Sequence, residues 1–297
     1  MDAEEKQSYI KAGAILKEAQ ALARKKAKVG TPLLSLAEEI EKCIVEKQGK
    51  PAFPVNLSKN NIAAHYTPSI GDESVIEETD VLKIDIGVHV EGYITDAAFT
   101  VDFSGKHAAL VEAAEFALES ALAVAKTGAP LRLLGKAIED TIEGKGFHPV
   151  RNLSGHGLAR YQAHSSPSIP NHDSKDSKTL EDGMVVAIEP FASTGKGLIH
   201  EAGQAEIFQI DEPKPLRNPH ARRMLDYVFE NFTTLPFAER WLAAEFPDAF
   251  QRKIALRELL LQKCIMPFAP LLEAKDVFIS QAEATVLFDG KDAIRLV

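Results

Sequence analysis

Five residues lie where a lone charge would be costly, each inside an apolar or glycine-rich run: Asp85, Asp96, His156, Glu189 and Glu283. Asp85 interrupts LKIDIGVHV, in which Leu82, Ile84, Ile86, Val88 and Val90 alternate as a half-buried strand does. Asp96 lies in the next strand-like run, YITDAAFTV, and His156 sits between Gly155 and Gly157 in NLSGHGL. Glu189 ends MVVAIEPF, and Glu283 falls within VFISQAEATVLF. Four carboxylates and one imidazole are a donor set for a pair of divalent cations, with shared carboxylates between them. Such a mixed set suits Mn, Fe, Co or Zn, whereas Mg or Ca alone would not need the imidazole.

The first two residues can be placed relative to each other. A two-residue loop at Glu91-Gly92 sets Asp85 opposite Ala98 and Asp96 opposite Gly87, with both aspartates on one face. They are then diagonal neighbours, about 7 Å apart. Like charges that close repel unless a cation lies between them. By itself this stretch leaves open two solvated aspartates on an exposed face.

The elements around these residues come in clusters. Helices are predicted over 2–28 and, following Gly30, as far as Gln48, the second with Thr31 as N-cap and Pro32 at its first helical position. A short strand is expected near Ile62–His65, then the hairpin, then helices over 107–126 and 131–144. Strand-like pieces follow at 147–153, 184–190 and 198–210, and 157–179 reads as a long polar loop. From Pro213 to Pro270 the pattern turns helical, through ARRMLDYVFENF, FAERWLAAEF and FQRKIALRELLLQKCI, before β character returns. Clustered strands and helices favour an α+β fold over a doubly wound sheet. The expected organisation is one domain over 1–297, carrying a helical insertion at 213–270.

Composition narrows the function classes. With 45% hydrophobic and 26% charged residues, the 297-residue chain has the make-up of a soluble globular protein. A net charge of −9 argues against general affinity for nucleic acid or anionic membranes. No apolar run is long enough to span a bilayer, and the N-terminus lacks a signal-peptide core. Cys43 and Cys264 have no metal-ligand spacing and read as reduced residues of a cytoplasmic protein.

In order, AFPVNLSKNNIAAHYTP, KIDIGVHVEGYITDAAFTV, NLSGHGLARYQAHSSPSIPN, VVAIEPFASTGKG, ENFTTLPFAERWL and QAEATV resemble the type II methionine aminopeptidases over nearly the whole chain. The resemblance implies a pita-bread fold, an antiparallel sheet flanked by helices, with two divalent metal ions (Co, Mn, Fe or Zn) at its centre. Asp85, Asp96, His156, Glu189 and Glu283 fall on the family's metal ligands. It further implies catalytic roles for His65, His164 and Glu189, and a methionine pocket walled by Phe53, Phe191 and Phe268, with His65 and His164 also contacting substrate. The implied reaction is removal of N-terminal methionine before a small second residue, by a metal-bound hydroxide. Nascent polypeptide N-termini are the implied partners, with ribosome docking an open question and a monomer expected. An X-Pro aminopeptidase or prolidase shares the ligand set, and non-catalytic binding proteins share the fold; these are the alternatives. Two residues depart from the family pattern. Ala284 replaces a usual histidine, which predicts altered support of the site, and Ala163 replaces a larger aliphatic, which predicts a roomier pocket.

Overall fold

In a computed structural model covering residues 1–297, the strands Val81–Val90 and Tyr93–Asp102 pair antiparallel in the expected register. Asp85 is opposite Ala98, and Gly87 is opposite Asp96. Glu91 and Gly92 both have positive φ, 53° and 91°, as a two-residue hairpin turn matched to strand twist requires. His89 Nδ1 accepts the Gly92 N–H at 3.1 Å and closes the turn. Leu82, Ile84, Ile86 and Val88 are fully buried on the opposite face to Asp85. They pack in one core with α1 (Ala3–Lys26) and α2 (Leu33–Glu46). Each such side chain contributes about 1.5–3 kcal/mol of burial free energy. Asp2 opens α1 through a capping box with Glu5. Lys50–Pro51 and Asn56–Lys59 share the free edge of Val81–Val90.

A second sheet has five antiparallel strands, in the order Asp292–Arg295, Ala284–Asp289, Val185–Ile188, Ser154–Ala159 and Gln162–Pro170. Helices α3 (Ala108–Val124) and α4 (Leu131–Gly144) pack on it in a separate core. The two sheets are joined at the site. Thr285 Oγ1 accepts the Asp96 N–H and donates to the Asp96 carbonyl, each at 2.7 Å. The Glu283 N–H donates to the Ala98 carbonyl at 2.9 Å.

The 213–270 segment contains α5 (Pro219–Phe232) and α6 (Ala249–Leu261), with a core of its own that includes Met224, Phe237 and Leu256. Its strands Phe237–Ala238 and Ile265–Phe268 flank Ile207–Ile210. The segment is tied to α2 at Glu41, whose carboxylate accepts from Arg240 at 2.5 Å, Trp241 Nε1 at 2.9 Å and the Val55 N–H at 3.1 Å. Burial still pushes the Glu41 carboxyl up, outweighing the pull of Arg240, so this join orients the segment at a desolvation cost.

Several expectations fail in detail. Residues 154–170 form a hairpin and not a loop, turning at Arg160-Tyr161. Ala163, Pro167 and Ile169 are buried alternately with exposed polar residues, and small polar side chains hid that period. FAERWLAAEF is not an α-helix. It is a two-residue strand followed by a 3₁₀ turn at Glu239–Leu242, because Arg240 and Trp241 are drawn to Glu41. Thr31 does not cap α2: its hydroxyl donates to the Lys26 carbonyl, and the Leu33 N–H is taken by the Ser74 carbonyl. The 198–210 piece splits into His200–Glu201 and Ile207–Ile210.

Candidate metal centre

The five candidate ligands arrive from both sheets. Asp85 and Asp96 project from one face of the hairpin. His156 lies on the Ser154–Ala159 strand, whose neighbours press close on both sides. A Cβ on Gly155 would lie 2.2 Å from the Ala187 carbonyl oxygen, and one on Gly157 2.0 Å from that of Ser166. The flanking glycines are therefore dictated by strand packing. Ala284 pairs with Ile188, so Glu283 and Glu189 face each other just beyond the ends of adjacent antiparallel strands.

All five line one cavity of about 520 Å³. Oxygens of Asp96 and Glu283 and a nitrogen of His156 lie within 4.8 Å of one another. His156 Nε2 stands 3.8 Å from Asp96 Oδ2 and 3.6 Å from Glu189 Oε1, too far for hydrogen bonds and suited to a shared cation. Its Nδ1 lies 3.2 Å from the Gly157 carbonyl, which orients the ring. Glu283 also accepts from Gln281 Nε2 at 3.2 Å.

Without cations, burial and mutual repulsion disfavour the ionised forms of these acids. Burial raises Asp85 to about 7. Burial and repulsion from Asp85 hold Asp96, Glu189 and Glu283 well above the usual carboxylate range, with the other acids adding to the push on Asp96 and Glu283. Asp85 Oδ1 and Asp96 Oδ1 are buried with no hydrogen-bond partner. Burial and the neighbouring His164 lower His156 to about 3 and His65 to about 4, so both imidazoles are neutral, as a metal ligand must be. Orphaned carboxylate oxygens beside a neutral imidazole fit divalent cations.

The same cavity is lined by His65, His164, Phe53, Phe191 and Phe268. His65 has a positive φ of 64°, uncommon for a residue with a side chain and typical of strained positions at functional sites. The His164 ring lies 4.4 Å from that of His156 and 6.1 Å from that of Phe268. His65 meets Phe268 edge-on at 5.4 Å. Two expectations change here. Ala163 is in the core beside α1 and does not line the cavity, so it does not widen the pocket. Ala284 is buried in the core with α3 and α4, on the opposite strand face from Glu283. It is Thr285, missed in the sequence, that supports Asp96. Asn56, Gln209, Pro236 and Met266 also line the cavity. Pro236 and Met266 come from the 213–270 segment, of which sequence reading had brought only Phe268 to the site.

The profile of metallopeptidase family M24 matches residues 7–212, and the chain belongs to that family. A methionine aminopeptidase of Pyrococcus horikoshii is 46% identical over 286 residues, covering 96% of each chain. That of Archaeoglobus fulgidus is 45% identical, covering 99% of this chain and 98% of its own. Among solved structures, a thermophilic Arx1 superposes with a TM-score of 0.88 at 16% identity, covering all of this chain and 91% of its own, a likeness of fold alone. The fold is the family's α+β pita-bread arrangement.

Proposed function

We propose that this chain is a metal-dependent methionine aminopeptidase of type II, removing the N-terminal methionine from polypeptides whose second residue is small. The near full-length identity to the Pyrococcus horikoshii methionine aminopeptidase carries the reading. Residues 213–270 are read as the type II insertion, and the protein as a cytoplasmic monomer acting on polypeptide N-termini. No helix is long and apolar enough to cross a membrane.

Asp85, Asp96, His156, Glu189 and Glu283 would hold two divalent cations, which when bound supply Lewis acidity toward a carbonyl and acidify water. Phe53, Phe191 and Phe268 offer aromatic walls to a flexible thioether side chain. Glu189, as the ionised carboxylate whose proton affinity burial and Asp85 raise, takes a proton from the attacking water and delivers it to the leaving amide nitrogen as the C–N bond breaks. Neutral His65 and His164 donate hydrogen bonds to the developing oxyanion and orient the departing amine.

Metal-stripped protein assayed with added Mn or Co should release methionine from Met-Ala-Ser and leave Ala-Pro-Ala intact. Cleavage of the proline peptide instead would move the chain to the X-Pro branch of the family. A second test concerns the pocket wall. A Cβ on Gly87 would sit 2.2 Å from Cε1 of Phe53, so Gly87→Ala must push that ring toward the cavity. The expected outcome is a raised KM for methionyl peptides and a stability loss of about 1–3 kcal/mol in urea unfolding. Unchanged KM would show that Phe53 does not bound the substrate side chain.

A further inference from the structure

A second cavity, of about 340 Å³, adjoins the first, and His65 lines both. Three stretches of chain contribute to both cavities. Ala64 faces the carboxylate cavity and Ile62 the second; Ile207 faces the first and Glu206 the second; Phe268 faces the first and Pro270 the second. Glu206 and Ile207 part because successive side chains of extended chain point to opposite sides, while the other two pairs follow one another along the boundary. An exopeptidase encloses only the terminal residue, so the rest of the polypeptide must leave beside the scissile bond. His65 stands at that point on the reading above, and each extended residue advances the chain by about 3.3–3.6 Å. The residues shortly after the scissile bond therefore pass into the second cavity.

The lining of this cavity has a definite charge. Asp72 and Glu206 are its acids, no lysine or arginine lines it, and Tyr66, Ser69 and Gln204 add polar groups. Burial raises Asp72, but hydrogen bonds from the Tyr66 hydroxyl, at 2.6 Å, and from Ser74 outweigh it and leave the carboxyl below its usual range. Burial and the nearby Glu239 lift Glu206 to about 7, against the pull of Lys253 and Arg240, neither of which lines the cavity. A cation beside Glu206 would relieve that repulsion.

We propose that the second cavity receives the third and fourth residues of the substrate and selects a cationic side chain there through Glu206 and Asp72. The proposal rests on the methionine aminopeptidase reading and adds a specificity that reading does not contain. It is tested on metal-loaded protein with Met-Ala-Lys-Lys, Met-Ala-Ser-Ser and Met-Ala-Glu-Glu at low ionic strength. The lysine peptide should exceed the glutamate peptide in kcat/KM by about fivefold or more, mostly through KM, and the gap should shrink in salt. Glu206→Gln should narrow the ratio and Glu206→Lys should reverse it, each ratio being read within one protein so that altered overall activity does not matter. Equal kcat/KM for the lysine and glutamate peptides in the unmodified protein would overturn the proposal, as would a ratio untouched by both substitutions. Failure to cleave Met-Ala-Ser-Ser would instead remove the methionine aminopeptidase reading, and this proposal with it.

Discussion

Glu189→Gln should lower kcat/KM for Met-Ala-Ser by about 1,000-fold or more while the protein stays folded. The substitution keeps the shape of the side chain and one oxygen donor, and it removes the group that takes and returns the proton. Glu189 is surrounded by like charge, and burial and Asp85 together push its carboxyl well above the ordinary range. Replacing it with a neutral amide therefore costs the metal-free fold little, because burial and Asp85 already favour the uncharged form there. Kinetics on protein of measured metal content, beside a thermal melt, separate the two effects. Activity within about tenfold of the unmodified protein, at full metal occupancy, would show that another group moves the proton.

The second large effect is on stability. Removing the cations should lower the melting temperature, and by more at pH 8 than at pH 5. In the metal-free fold Asp85 is raised to about 7, and Asp96, Glu189 and Glu283 lie well above their usual values. In the unfolded chain the same groups titrate near 4. Between these limits the native state binds more protons than the unfolded state, so stability falls as pH rises. The contribution of these acids is intact below about pH 4 and is lost as pH climbs through the folded values. Bound cations require the ionised carboxylates, so metal affinity and its stabilisation grow over the same window. Calorimetry of stripped and Mn-loaded protein at both pH values checks the sign. An equal gap at the two, or a wider gap at pH 5, would mean that these carboxylates do not carry the pH dependence.

What the chain made legible by itself was local or regular. The period-two alternation of Leu82 to Val90 and the Glu91-Gly92 turn determined the hairpin register, and hence that Asp85 and Asp96 share a face. The five ligand types stood out because each interrupts an apolar or glycine-rich run. The α+β class followed from the clustering of elements, and the ordered motifs indicated the family.

Tertiary structure alone decided the rest. Glu189 and Glu283 meet because Ala284 pairs with Ile188, a contact between distant segments that no local periodicity encodes. The 154–170 hairpin was hidden by polar side chains on its exposed face, and the 239–242 turn by helix formers held non-helical through Glu41. Ala163 and Ala284 could be read as neighbours of the site until strand alternation turned both into cores. The sharing of His65 between a cavity of carboxylate ligands and an acidic neighbour depends on three separate chain segments that each line both cavities. Residue types and short-range spacing can specify which groups are able to bind cations; the distances between groups from separate strands exist only once the sheets have packed.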